Sequence, residues 1–300
     1  MTHLLFGIDV PTSITSLSAS SASSPSATGP VADAQRAERL GYDFVSASDH
    51  PSGQTPTYET WTMLAWMAAS TTRIAVASRV LGVPYRAPAM LAKMAETLDR
   101  LSVGRLILGL GGGYSDDEFR AFGLGVPTPR EKVDGLGEAV RIIRGLWSEP
   151  RFSFDGRLHH TRDADLEPKP GRRIPIWFGT FGERALELTG RLADGWIPSL
   201  GQAPPERVTT MRDRVLSAAT NAGRDPGDVT CAYNLEIRVD ERFEPRPDVV
   251  SGNVDRVLEQ LLSFVDLGFT AMNFQPVGQG RDEQIECLAE DVIPAVRAAR

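Results

Sequence analysis

Two hydrophobic rhythms alternate along the chain. Short, continuous apolar runs occupy 4–10, 44–47, 74–80, 106–108, 176–178, 195–198, 230–239 and 271–274. They lack the in–out alternation of a half-solvated sheet, which is the pattern of strands buried on both faces. Between them, apolar residues recur every three or four positions, predicting helices over 31–40, 59–69, 88–100, 130–147, 183–192, 205–222, 253–267 and 282–299. The helix over 130–147 shows the spacing well, with Val133, Leu136, Val140, Ile143 and Trp147 on one side. Gly41 is placed as a C′ glycine, Pro88 as a first-turn proline, and Ser115 with Glu118 as a capping box. Two stretches stand outside the rhythm. Residues 11–30 are dominated by Ser, Ala and Thr and read as an excursion, with a lid over a site as the sharper alternative. Within 151–170, Phe152–Ser153–Phe154–Asp155–Gly156–Arg157 predicts a small hairpin insertion after the fourth strand–helix unit.

Strands alternating with helices imply βαβ units and a parallel sheet. About eight units in 300 residues fit a single (β/α)₈ TIM barrel spanning 1–300, with a doubly wound sheet carrying a hairpin subdomain as the alternative. A barrel concentrates functional groups just after its strand ends. That rule singles out Asp9, Ser48–Asp49–His50, Arg79–Val80–Leu81, Gly111–Gly112–Gly113, Gly179–Thr180, Ser199, Glu236–Arg238 and Gln275.

Composition narrows the classes. A content of 41% hydrophobic and 24% charged residues is ordinary for a soluble globular enzyme, and a net charge of −7 argues against nucleic acid or an anionic membrane as partner. Two cysteines without a C-x-x-C pattern give neither a disulfide scaffold nor a zinc site, and no metal is expected. There is no apolar run of membrane-span length, and the first basic side chain, His3 apart, is Arg36, so a cytoplasmic location is expected.

The candidate chemistry is sparse. His50 is the one histidine of four at an expected strand end, beside Asp49; an imidazole there can exchange a proton near neutral pH. Gly111, Gly112 and Gly113 follow a strand and precede a helix start. The pattern is G-x-G-G-G rather than G-x-G-x-x-G, and Asp116, Asp117 and Glu118 fill the first helical turn, where they would repel a phosphate. The glycines therefore make room for a flat ligand or turn a tight corner. Arg79–Val80–Leu81 suits a bulge at the barrel rim, and Gly179–Thr180–Phe181–Gly182 offers a bare turn into a helix, the better anion site of the two.

Taken together, these segments resemble the luciferase-like monooxygenases, in particular their branch of deazaflavin (coenzyme F420)-dependent oxidoreductases. The resemblance runs over nearly the whole chain, through AERLGYD at 37–43, Ser48–Asp49–His50, LDRLSVGRL at 98–106, LGLGGG at 108–113, IPIWFG at 174–179, ADGW at 193–196 and DVIPA at 291–295. It implies a TIM barrel with the deazaflavin, or alternatively FMN, across its C-terminal mouth. Ser48, Asp49 and His50 would face the cofactor, with Asp49 and His50 at its hydroxyls and reactive ring edge. Arg79–Val80, with Leu81, would form a bulge with a non-prolyl cis peptide behind the ring. Gly111 to Gly113 would be its glycine loop, and Gly179, Thr180, Phe181 and Gly182 its phosphate turn. The implied activity is hydride transfer between F420 and a small organic substrate, with His50 and Asp49 as the catalytic pair and a homodimer as the assembly. An FMN-dependent monooxygenase using dioxygen and a partner reductase, and a non-catalytic flavin-binding homologue, are the alternatives. Glucose 6-phosphate-oxidising relatives carry a glutamate where this chain has Tyr114 and a lysine where it has Gln202, which argues against a sugar phosphate. Trp61, Trp66, Trp177 and Phe181 are candidate aromatic walls near the mouth.

Overall fold

The buried apolar runs find their partners in parallel. In the computed structural model, which describes residues 4–14, 29–53 and 55–300, eight strands close on themselves. They are β1 (Leu5–Asp9), β2 (Phe44–Ala47), β3 (Ala75–Ser78), β4 (Leu106–Gly111), β5 (Ile176–Phe178), β6 (Gly195–Trp196), β7 (Thr230–Val239) and β8 (Ala271–Pro276). Each pairs in parallel with the next, and β8 returns to β1 with Leu5 opposite Ala271. The chain is thus a (β/α)₈ barrel, and the doubly wound alternative is excluded by the β8–β1 pairing. Most of the serine-rich stretch, 15–28, lies outside the described residues.

The helices follow the expected register: α1 (Pro30–Arg39), α2 (Thr60–Ala69), α3 (Pro88–Leu101), α4 (Asp116–Ala121), α5 (Pro129–Ser148), α6 (Glu183–Leu192), α7 (Pro205–Asn221), α8 (Val254–Asp266), α9 (Arg281–Cys287) and α10 (Ile293–Ala298). The helix expected over 282–299 is interrupted by a wide π turn at Leu288–Val292. Pro294 explains it, since proline has no N–H for the ladder and its ring clashes with the carbonyl four residues back. The hairpin insertion is present as Phe152–Asp155 paired with His160–Ala164. The buried carboxylate of Glu138 on α5 accepts the backbone N–H groups of Arg157, Leu158 and His159 and ties the hairpin to the barrel. A similar device pins the entry to β3. The Glu38 carboxylate accepts the N–H groups of Thr72, Arg73 and Ile74, and although burial opposes it, these donors hold its pKa down at about 2.

Two-residue periodicity sorts side chains between the barrel interior and the helical shell. Phe6, Ile8, Val45, Val76, Leu106, Leu108, Leu110, Ile176, Phe178, Leu235 and Phe274 face the shell and build the main core with the helices. Inside, Phe44, Ala77, Ile107, Trp177, Ile197, Ala232 and Ala271 form a separate apolar plug, with Phe44 and Trp177 edge to face at 5.7 Å. Trp177 and the buried Trp61 are therefore packing residues. Trp66 is 63% exposed on the outer helix α2 and does not wall the mouth.

Beside the plug runs a buried polar chain. Ser46 donates to Asn273, Asn273 donates to Asn234, and Asn234 donates to Ser199 and Gln275, over 2.8–3.1 Å. These bonds satisfy polar groups that the barrel interior would otherwise strand at a cost of about 1–3 kcal/mol each.

The end of β3 meets β4 without an intervening side chain. The Ser78 hydroxyl donates to the Gly109 carbonyl at 2.9 Å and accepts from the Gly109 N–H at 2.8 Å. A Cβ on Gly109 would stand 1.9 Å from the Ser78 carbonyl oxygen, a backbone atom that cannot swing aside. Gly109→Ala should therefore destabilise the barrel by about 3 kcal/mol or more, read as a lowered urea midpoint. Wild-type stability in that variant would contradict this account of the β3–β4 contact.

Candidate active site

The strand ends of β2 to β6 converge on a cavity of about 300 Å³ at the C-terminal mouth of the barrel. Its walls include Asp49, His50, Arg79, Val80, Gly111, Gly112, Gly113, Gly179, Phe181 and Ser199, so ten of the expected residues come together. Gly82, Tyr85, Tyr114, Ile197 and Gln202 complete it.

Val80 is the centre of the floor. The Arg79–Val80 peptide bond is cis. The Val80 methyl groups lie so close to Gly109, Gly111 and Gly179 that a Cβ on any of these would come within 2.9–3.1 Å of them. Three bare positions on β4 and at the end of β5 thus form the seat for one side chain. The rest of the glycine loop is equally constrained by protein. A Cβ on Gly112 would meet the Lys132 backbone oxygen at 2.9 Å, and Gly113, at φ +93°, would meet the Phe119 ring at 2.4 Å. The triple glycine is a tight corner against α5 and α4, and its cavity side is bare backbone.

Four expected residues do not line the cavity. Thr180 is 5% exposed and its hydroxyl is bonded to that of Thr189 on α6 at 2.7 Å, so it is no anion donor; Gly179 faces the cavity and the next residue faces the shell. Leu81 is fully buried in the shell core. Gly182 is the N-cap of α6, with Glu183 in the first turn. Ser48 accepts the Thr60 hydroxyl through its carbonyl, at 2.6 Å, and anchors the start of α2. Of the other strand-end candidates, Asp9 pairs with Arg79 at 2.8 Å, Glu236 with Arg246, and Arg238 with Asp240. Gln275 accepts from Asn234 and closes the polar chain.

Asp49 and His50 have different environments. The Asp49 carboxylate is 8% exposed and accepts two bonds from the Arg86 guanidinium, at 2.8 and 3.0 Å, and one from the Gly82 N–H at 3.0 Å. These three accepted bonds fix the carboxylate in place. Asp49 thus ties the rim to Arg86 and Gly82 while also lining the cavity. His50 has a side chain 44% exposed, and its Nδ1 lies 3.2 and 3.3 Å from the two oxygens of Glu118. Nε2 has no hydrogen-bond partner among the described residues. Glu118 is 7% exposed and also accepts from the Tyr85 hydroxyl at 2.5 Å. Burial, and then this bond to a carboxylate, push the Tyr85 pKa well up, so it stays a donor. The capping box expected from Ser115 and Glu118 is half formed. Ser115 caps the Glu118 N–H, but the Glu118 carboxylate turns to His50 and Tyr85 instead of back to the cap.

Sequence reasoning missed Tyr85, Arg86 and the outward use of Glu118. Their partners lie 33, 37 and 68 residues away, beyond any local pattern. Among the described residues, no group of three or more His, Cys, Asp or Glu is placed to hold a metal, and no helix is long and apolar enough to cross a membrane.

The cavity has the chemistry of a site for a flat, partly apolar cofactor. Val80 and Ile197 offer an apolar surface, and bare backbone runs along one edge. The buried Arg79 Nε, without a hydrogen-bond partner among the described residues, remains able to donate. The mouth lies at the C-terminal end of the (β/α)₈ barrel, where enzymes of this architecture carry their active sites, and comparison with known proteins gives the family. The family model described as luciferase-like monooxygenase matches residues 6–246, and the chain belongs to that family. An F420-dependent glucose-6-phosphate dehydrogenase of Kineococcus radiotolerans is 30% identical, the match covering 90% of this chain and 94% of the relative. One from Kribbella flavida is 31% identical over 88% and 92%. Among solved structures, an F420-dependent secondary alcohol dehydrogenase in complex with an F420–acetone adduct superposes with a TM-score of 0.85. It is 19% identical and covers 98% of this chain and 99% of that one. The long-chain alkane monooxygenase LadA gives a TM-score of 0.80 at 14% identity, covering 100% and 92%. These two likenesses establish the fold.

The clamp makes a direct prediction. Arg86→Met leaves the Asp49 carboxylate buried with only the Gly82 N–H, and should lower stability in urea unfolding by about 3 kcal/mol. Adding Asp49→Asn, which removes the stranded charge, should restore part of the loss. An Arg86→Met variant as stable as the wild type would show that the clamp does not hold the rim.

Proposed function

We propose that this oxidoreductase uses coenzyme F420 and transfers a hydride between it and a small, uncharged alcohol or carbonyl compound. The observation that carries the reading is the His50 Nε2, without a hydrogen-bond partner among the described residues, on a cavity whose one carboxylate, Asp49, is held by Arg86 and Gly82. The relatives described above support F420 as the cofactor.

Bound F420 would supply the hydride acceptor or donor at its deazaflavin ring. Val80, Ile197 and the glycine corner would hold the ring, and Phe181 and Tyr114 flank the opening. His50 Nε2 takes the hydroxyl proton of an alcohol as it is oxidised, or returns one to a carbonyl oxygen in the reverse direction. Asn234 donates to the Ser199 hydroxyl oxygen, so the Ser199 hydrogen is free to donate to a ligand oxygen. The substrate reading rests on charge. His50 and Arg79 are the basic side chains lining the cavity among the described residues, and Arg79 is paired with Asp9. Gln202 and Tyr114 line the same wall. A phosphate there would lack an unpaired cation, which disfavours the sugar phosphate that the relatives' names specify.

Titration of the purified protein with F420 and, separately, FMN, followed by cofactor fluorescence, tests this. The account expects binding of F420 at micromolar or lower concentration and FMN at least about tenfold weaker. In steady-state assays His50→Ala should then lose about 10²-fold or more in kcat with F420 affinity nearly unchanged. Tight binding of FMN alone would move the protein to the dioxygen-using branch, and undiminished turnover in His50→Ala would remove His50 from the chemistry.

A further inference from the structure

His50 cannot by itself decide which ring nitrogen carries its proton; that is set by whatever Nδ1 touches. On one side of the ring stands the Glu118 carboxylate from α4, with both oxygens within 3.3 Å of Nδ1 and its side chain 9% exposed. A carboxylate is an acceptor only, so the neutral imidazole that faces it must donate from Nδ1. The carboxylate is itself oriented. Tyr85 donates to Oε2, and the Ser115 cap on the Glu118 N–H fixes the start of the helix that carries it. The neighbouring carboxylates in the chain are engaged elsewhere: Asp49 with Arg86, and Asp116, two residues before Glu118, with Lys132. The Tyr114 ring stands edge-on to the imidazole at 6.4 Å between centroids and brings no charge.

We infer that Glu118, oriented by Tyr85, is a positioning residue that holds neutral His50 in its Nδ1–H form and so presents the Nε2 lone pair to the substrate. The inference rests on the reading of His50 as the proton-exchanging group and adds the part that makes it a base. It also explains why a first-turn carboxylate is spent on a side chain 68 residues away rather than on its own helix cap. The direction of the hold is informative, because an isolated imidazole prefers the proton on Nε2. In Ser-His-Asp sites, loss of the carboxylate that fixes the catalytic tautomer costs about 10⁴ in kcat while geometry persists. Glu118 is set at a longer distance, so about 10²-fold is expected here.

The test reads the ring directly. Long-range ¹H–¹⁵N correlation spectra of ¹⁵N-histidine-labelled protein without cofactor, followed with pH until the ring nitrogens show the neutral pattern, assign the tautomer of His50. The wild type should show Nδ1–H, and Glu118→Ala should revert to mainly Nε2–H. Glu118→Gln, whose carboxamide oxygen still accepts, should keep Nδ1–H, as should Tyr85→Phe. In turnover, Glu118→Ala should lose about 10²-fold in kcat with F420 affinity within threefold of wild type, and Glu118→Gln should recover most of it. Wild-type His50 in the Nε2–H form overturns the inference, and this result needs no variant to fold. So does a Glu118→Ala protein that keeps the wild-type tautomer. Because the spectra are taken without cofactor, failure of F420 to bind would refute the functional reading while leaving the tautomer result to stand or fall separately.

Discussion

The contact on which the mouth of this barrel depends is that of the Val80 side chain with three bare backbone positions. Gly109, Gly111 and Gly179 let the segment after β3 lie against β4 and β5 at distances that no Cβ would permit. The Ser78 hydroxyl closes the same junction by bonding both backbone groups of Gly109. With the seat in place, Val80 becomes floor rather than core, Arg79 reaches Asp9 on β1, and Leu81 turns back into the shell. Glycine loses more conformational entropy on folding than any other residue, so three of them at one junction is a sign that shape there outweighs stability.

Around that floor the protein neutralises nearly every charge it brings. Asp49 is clamped by Arg86, Asp9 by Arg79, and Asp116 by Lys132. Among the described residues, what is left open is an imidazole nitrogen, the Arg79 Nε, the Tyr114 hydroxyl, a serine hydroxyl whose oxygen is already accepting, and a carboxamide at Gln202. On the proposed reading this site moves a proton and orients a neutral ligand. The same separation of roles divides Asp49 from His50. Neighbours in sequence, they differ in surroundings: one meets a guanidinium, and the other meets a carboxylate and keeps a ring nitrogen without a partner among the described residues.

Much of this was legible before any coordinates. The eight strands and their helices followed from hydrophobic rhythm, since each strand here is covered on both faces. The strand-end rule located His50, Val80 and the glycine corner because in a barrel the strand ends share one rim. What the rule lacked was the face. Thr180 sits at a strand end yet points into the shell toward Thr189, and Leu81 likewise, because alternate residues of a strand face opposite ways. The break near Leu288 follows from Pro294, whose effect the apolar periodicity around it masks. Arg86, Tyr85 and Glu118 carried no local signal. Arg86 and Tyr85 lie in a short connector and Glu118 in a turn whose acidic residues had a sufficient explanation as helix-end charges. Their function exists only once β2, the connector after β3 and α4 are brought together.

The claim that the mouth is built for a flat hydride carrier is tested most directly by a crystal structure of the protein with coenzyme F420. The account predicts the deazaflavin ring in the cavity between His50, Val80 and the glycine corner, with His50 Nδ1 still on Glu118. A ring bound elsewhere, for instance in the groove between α1 and α2 lined by Tyr58, Met63 and Trp66, would contradict it.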